Sequence, residues 1–183
     1  SSAHLISLNS AGTAMGNARS QALALSDDAS KSLFYSNASD IVAGDSNAKT
    51  DIFLRDSGAG STTLVSRTDS ALGNGNSDNA AMSGDGRYVA FQSLATNLVA
   101  DDTNGVCDVF VKDMQTGTVT RVSLGPGKKQ ANAACTLLAI SKDGSMVAFR
   151  SNATSLGSVT GGIFVVDRAG GAARKLCTGG NTT

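Results

Sequence analysis

Met82-Ser-Gly-Asp-Gly-Arg-Tyr-Val-Ala-Phe-Gln-Ser93 is written three times in this chain. The earlier copy is Leu25-Ser-Asp-Asp-Ala-Ser-Lys-Ser-Leu-Phe-Tyr-Ser36, and the later is Ile140-Ser-Lys-Asp-Gly-Ser-Met-Val-Ala-Phe-Arg-Ser151, at spacings of 57 and 58 residues. A fixed period of this length is the mark of a repeat architecture. The alignment continues downstream. Asp51-Ile-Phe-Leu-Arg-Asp56, Asp108-Val-Phe-Val-Lys-Asp113 and Gly162-Ile-Phe-Val-Val-Asp167 form a second set, and Thr63-Leu-Val-Ser66, Thr120-Arg-Val-Ser123 and Arg174-Lys-Leu-Cys177 a third. All six phenylalanines fall at two repeat positions: Phe34, Phe91 and Phe149 at one, Phe53, Phe110 and Phe164 at the other. Rings of that size dominate core burial, so each unit is expected to fill one recurring gap with one ring from each of two strands.

Each unit holds four short apolar runs. In the second they are Asn79–Ser83, Arg87–Gln92, Asp108–Lys112 and Val119–Ser123, rich in Val and Phe and bounded by turn residues. Ser83-Gly-Asp-Gly86 and Asp113-Met-Gln-Thr-Gly117 read as hairpins. No run of helical period competes. A repeated four-stranded antiparallel meander is a β-propeller blade. The chain therefore reads as an all-β propeller segment over 1–183, with blades near 20–66, 77–123 and 132–177 and residues 4–8 as an extra strand from a preceding or neighbouring blade. The inner strands Ala22–Ser26, Asn79–Ser83 and Leu137–Ser141 carry small residues that suit crowding near an axis. A β-sandwich would not repeat itself in this way.

The repeat resembles the TolB-like propeller repeat, of the form S-x-D-G-x-x-(V/I)-x-F, from about residue 20 onward, and the second copy matches best. The first departs with Asp28-Ala29 in place of Asp-Gly, and the third lacks the acidic loop of the others. The resemblance implies about six blades around a channel. It also implies a bacterial, exported, non-catalytic module, periplasmic or extracellular, used for protein contacts, and the loops that a ring presents at each face suit protein or glycan partners. Similar propellers stand beside catalytic domains in some peptidases, so an accessory propeller of a larger hydrolase is a second expectation, and a self-assembling structural module a third.

Three blades do not close a ring, because propellers use roughly four to eight. The chain is read either as a piece of a longer protein or as half of a homodimer that completes a six-bladed ring. In the second case Leu5–Leu8 would complete the neighbour's last blade.

The totals limit the chemistry. The 183 residues carry 15 basic and 15 acidic side chains, and Lys128-Lys129 is the longest basic run, so the charge that nucleic-acid binding relies on is missing. No apolar stretch is long enough for a membrane span, and no signal peptide is evident. His4 is the one histidine, no Gly-x-Ser-x-Gly elbow or phosphate-binding loop occurs, and no catalytic residue is assigned. Cys107, Cys135 and Cys177 make no zinc pattern and read as free thiols, with one disulfide as the alternative. The candidate site is an acidic loop: Asp45, Asn47 and Asp51 recur as Asp102, Asn104 and Asp108. Carboxylates and an amide at this spacing could give Ca2+ part of an oxygen shell, with Asp101 adding an oxygen. The competing reading is a turn braced by Asp and Asn side chains.

Overall fold

The computed structural model describes residues 5–157 and 161–176. His4, Cys177 and residues 158–160, where the third repeat lacks the acidic loop, lie outside them. Among the described residues, twelve strands form three separate four-stranded antiparallel sheets. Blade 1 is β1 (Ser20–Leu25), β2 (Lys31–Ser36), β3 (Asp51–Asp56) and β4 (Ser61–Leu64). Blade 2 is β5 (Ser77–Met82), β6 (Tyr88–Ser93), β7 (Asp108–Asp113) and β8 (Val119–Arg121). Blade 3 is β9 (Cys135–Ile140), β10 (Met146–Ser151), β11 (Gly162–Asp167) and β12 (Arg174–Lys175). The all-β propeller architecture read from the repeat is thus present. Leu5–Leu8 forms no strand; Leu8 makes only an isolated bridge with Met15.

The phenylalanines pair directly across the second and third strands. Phe34 faces Phe53, Phe91 faces Phe110 and Phe149 faces Phe164, with stacked ring centroids 5.5, 5.8 and 5.6 Å apart. Successive side chains of a strand point to opposite faces, so each sheet has a phenyl face and an aliphatic face. Leu33, Ile52 and Leu54 of blade 1 pack with Phe91 and Phe110 of blade 2. Ala90, Val109 and Val111 of blade 2 pack with Phe149 and Phe164 of blade 3. The phenyl pair therefore faces the preceding blade. The blade 1 pair packs with Ala38, Ile41 and Leu64 and with Ile6 from the N-terminal segment.

Backbone bonds stitch the blades together at both ends of the inner strands. Ser77 N donates to Thr50 O and Cys135 N to Cys107 O, both at 2.8 Å. At the other end Asp27 N donates to Gly84 O at 2.8 Å and Gly84 N to Lys142 O at 2.7 Å. Each inner strand also shifts register by one residue, in blade 2 at Asn79, whose φ is +44°. Such bulges bend a strand and sharpen its twist.

The hairpin that names the repeat is held by one serine and one aspartate. Ser83 Oγ donates to Asp85 Oδ1 at 2.5 Å, Arg87 N donates to the same oxygen at 3.0 Å, and Tyr88 N donates to Ser83 Oγ at 3.0 Å. The next residue, Gly86, has φ +68°, and its counterpart Gly144 has +72°. Blade 1 forces Ala29 to +55° at this place. A side chain there is strained, so Ala29→Gly is expected to raise stability by about 0.5–1 kcal/mol despite the entropy glycine adds to the unfolded chain. Gly144→Ala should do the reverse and cost more, because a Cβ at Gly144 would lie 2.4 Å from Tyr88 Cδ2. Chemical denaturation of the two variants checks both signs.

Candidate functional site

The acidic loop joins the second and third strands of blades 1 and 2, and its residues do come together. In blade 1, Asn47 Nδ2 donates to Asp51 Oδ2 at 2.8 Å and to Gly73 O at 3.0 Å. Its own oxygen accepts from Lys49 N at 2.9 Å. The other Asp51 oxygen accepts from Ser66 Oγ, which in turn accepts from Ile52 N at 3.1 Å. Blade 2 repeats the arrangement. Asn104 Nδ2 donates to Asp108 Oδ2 at 2.7 Å and to Ala131 O at 3.0 Å, and Ser123 Oγ joins Asp108 to Val109 N. Asp51 and Asp108 are fully buried, as are both serines. Each carboxylate thus ties the loop, the start of the third strand and the segment leaving the fourth into one unit, which is how a turn is braced.

The serines were not singled out from sequence, yet a signal existed. Where blade 3 has Gly162 instead of the aspartate, it has Cys177 instead of the serine, so donor and acceptor depart together.

The two loops differ in how charge is balanced. In blade 2 the guanidinium of Arg121, with its side chain 2% exposed, lies among three carboxylates. It stands 2.9 Å from Asp102 Oδ1, 3.7 Å from Asp108 Oδ2 and 3.5 Å from Asp101 Oδ1. It also donates to Gln130 Oε1 at 3.2 Å and to Asp101 O at 3.2 Å. The contact with Asp102 is an ion pair without hydrogen-bond alignment, and Arg121 Nε has no hydrogen-bond partner. The same place in blade 1 holds Leu64: Leu64 faces Phe53 as Arg121 faces Phe110. Leu72 stands where Gln130 stands, each in the bridge that closes the following loop. Blade 1 has replaced a polar network by an apolar pair while keeping Asp45 and Asp51.

The consequence is electrostatic. Asp45 is 7% exposed, and burial, followed by the charge of Asp51, pushes its carboxyl from 3.8 up to about 6. Burial also raises Asp51, Asp102 and Asp108. Other carboxyls move the opposite way. Arg87, paired to Asp113 at 2.9 Å, holds Asp113 at about 2, and the Ser141 hydroxyl holds Asp143 at about 2. The thiols of Cys107 and Cys135 are pushed up by burial, to about 12 and about 11.

Among the described residues, no group of three or more His, Cys, Asp or Glu side chains is arranged to hold a metal ion. Of the six candidate Ca2+ ligands, Asp51, Asn47, Asp108 and Asn104 hydrogen-bond to the protein, and Asp102 pairs with Arg121. Among the described residues, Asp45 and Asp51 have no cationic partner, and of the two Asp45 also lacks a side-chain donor, accepting only from the backbone N–H of Asn47. The pH behaviour follows by linkage. A carboxyl raised by folding contributes stability fully below its ordinary 3.8, and that contribution is lost as pH rises through about 6. Asp45→Asn is therefore expected to raise the melting temperature at pH 7.5 and to leave it unchanged near pH 4. Millimolar Ca2+ should not shift the wild-type melt; a shift that disappears in Asp45→Asn would establish the metal instead. Arg121→Leu leaves buried carboxylates uncompensated and should cost about 3–5 kcal/mol at neutral pH. Adding Asp102→Asn recovers part of that in urea unfolding.

Among the described residues, no helix is long and apolar enough to cross a membrane. No family model matches the chain, and no curated protein matches it. Solved structures do. A TolB protein from Agrobacterium tumefaciens is 19% identical with a TM-score of 0.51, over 84% of this chain and 44% of that one. A prolyl endopeptidase is 14% identical with a TM-score of 0.50, over 82% of this chain and 20% of that one. The chain spans less than half the length of either. At such identities the likeness is one of fold, and the fold it shows is the β-propeller, with TolB-like proteins among its neighbours.

Proposed function

We propose that this chain is a non-catalytic propeller module of an exported bacterial protein, acting in the periplasm or outside the cell, and that its task is contact with protein. The observation that supports this reading is a groove on the outer rim between blades 2 and 3. It has a volume of about 460 Å³, with Val99, Val119 and Leu124 along it and the turn Ala169–Ala172 on its far side. Its wall is β8, the outermost strand of blade 2, which has a neighbour on one side only. An edge strand presents unpaired backbone N–H and C=O groups. An extended peptide can add to such an edge through its own backbone, while alternate side chains enter the adjoining pocket. A groove of this size also suits a short segment of glycan, but it holds no aromatic side chain for a sugar ring to stack on.

Selection of displayed peptides against the chain tests the reading. Enriched peptides should be extended and apolar at alternate positions. Ala172→Arg, at an exposed position on the groove wall, should weaken them at least about tenfold. Binding that is indifferent to this substitution would move the contact elsewhere, and turnover of peptide, ester or glycoside substrates by the purified chain would overturn the non-catalytic assignment.

A further inference from the structure

A second groove runs along β4, the outermost strand of blade 1, between blades 1 and 2. It has a volume of about 420 Å³, and successive blades of this chain supply both of its walls: Thr63 of β4 from blade 1, Lys112 of β7 and Gly117 from blade 2, and Arg67 and Asp69 from the segment that joins them. It is the repeat counterpart of the groove beside β8, yet its chemistry differs. Lys112 is opposite Val89 as Val166 is opposite Val147. Arg67 bridges Leu72 as Leu124 bridges Gln130. Two positions that are Val166 and Leu124 between blades 2 and 3 are therefore a lysine and an arginine between blades 1 and 2.

Neither cation is matched by a carboxylate. Lys112 is 5% exposed, a depth at which a lysine is ordinarily paired. Its ammonium donates to Arg67 O at 2.8 Å, which occupies one of three N–H groups. Arg67 gives Nε to Thr68 O at 3.0 Å and Nη2 to Asp69 O at 3.3 Å. Among the described residues, its Nη1 has no acceptor, and neither side chain makes an ion pair. Burial holds the Lys112 ammonium below its ordinary 10.5; the charge of Asp69 opposes this and that of Arg67 adds to it. Asp69 is exposed and, among the described residues, is the one carboxylate lining the groove. The groove thus carries two positive charges and one negative.

We infer that this groove is a subsite for a carboxylate side chain of the protein partner, an aspartate or glutamate on an extended segment laid along β4, with the Lys112 ammonium and Arg67 Nη1 as its donors. The inference rests on the protein-contact reading and adds the charge that the partner carries. The unmatched donors set the sign of the ligand, and the net charge of the groove sets its magnitude. One surplus positive charge is met by a single carboxylate, whereas a phosphate dianion would set surplus negative charge against Asp69. A carboxylate can accept from both donors at once, since its two oxygens offer about four acceptor sites. Such charge-assisted bonds are stronger than neutral ones. The free edge of β4 offers backbone pairing to the same segment, as β8 does. The two grooves then select different side chains, acidic between blades 1 and 2 and apolar between blades 2 and 3.

Calorimetric titration of the chain with two acetylated, amidated peptides, alike except for a central glutamate or glutamine between valines, tests the subsite. The glutamate peptide should bind at least about tenfold more tightly at low salt, and the difference should shrink in about 0.5 M NaCl. Lys112→Met keeps the length of the side chain, and Arg67→Leu installs the residue that blade 2 has at this place. Both variants should keep their fold by circular dichroism, and each should remove most of the preference for glutamate. Asp69→Asn should enlarge the preference about threefold, a gain that a merely structural role of these residues does not produce. Ala172→Arg, in the other groove, should leave it unchanged. Absence of any preference, a preference that survives both Lys112→Met and Arg67→Leu, or one that Asp69→Asn diminishes would each overturn the inference. Inorganic phosphate displacing the glutamate peptide more effectively than acetate would overturn the choice of a carboxylate. Peptides that bind at the β8 groove with no preference for an acid leave the protein-contact reading standing, so the two can fail separately.

Discussion

The structure depends on one contact: the aliphatic face of a small twisted sheet laid against the phenyl face of the next. A four-stranded sheet that is apolar on both sides is not stable alone. Here Phe91 and Phe110 are fully buried against Leu33, Ile52 and Val65 of the neighbouring blade. The pairing of rings within a sheet, and their burial between sheets, fix both the register of the second and third strands and the order in which blades stack. Burying a phenyl ring contributes several kcal/mol, and stacked pairs add about 0.5–1.5 kcal/mol. Hairpins and loops have only to deliver these rings to their places.

Around this core the repeat separates what must be kept from what can vary. The hairpin turn needs a hydroxyl, an aspartate and a residue with positive φ, and blade 1 tolerates alanine at the last of these with local strain. The brace between loop and outer strand needs one buried carboxylate, one amide and one hydroxyl, and blades 1 and 2 supply the same set. The space beside the brace is free to differ: an arginine network in blade 2, two leucines in blade 1. Burying two carboxylates beside one guanidinium in blade 2, and two with none in blade 1, is a choice that stability alone does not explain, since apolar replacements of buried ion pairs are often neutral or better.

The rim is a separate layer. Outer strands shorten from four residues in β4 to three in β8 and two in β12. Short edges limit uncontrolled pairing.

The sequence alone determined the repeat, the strand number per blade, the hairpins and the residues that fill the core. These rest on local periodicity and on the recurrence of six phenylalanines, which need no knowledge of distant contacts. It also brought Asp45, Asn47 and Asp51, with their second copies, to notice as a cluster. Only the tertiary structure decided what that cluster does. Ser66 reaches Asp51, and Arg121 reaches Asp102 and Asp108, at sequence separations of 13 to 19, and whether a carboxylate meets a serine, a guanidinium or a leucine is settled by how the outer strand folds back. Direction, too, was beyond the linear pattern: alternation says that a strand has two faces, but which face meets the preceding blade depends on the sense in which the sheets stack.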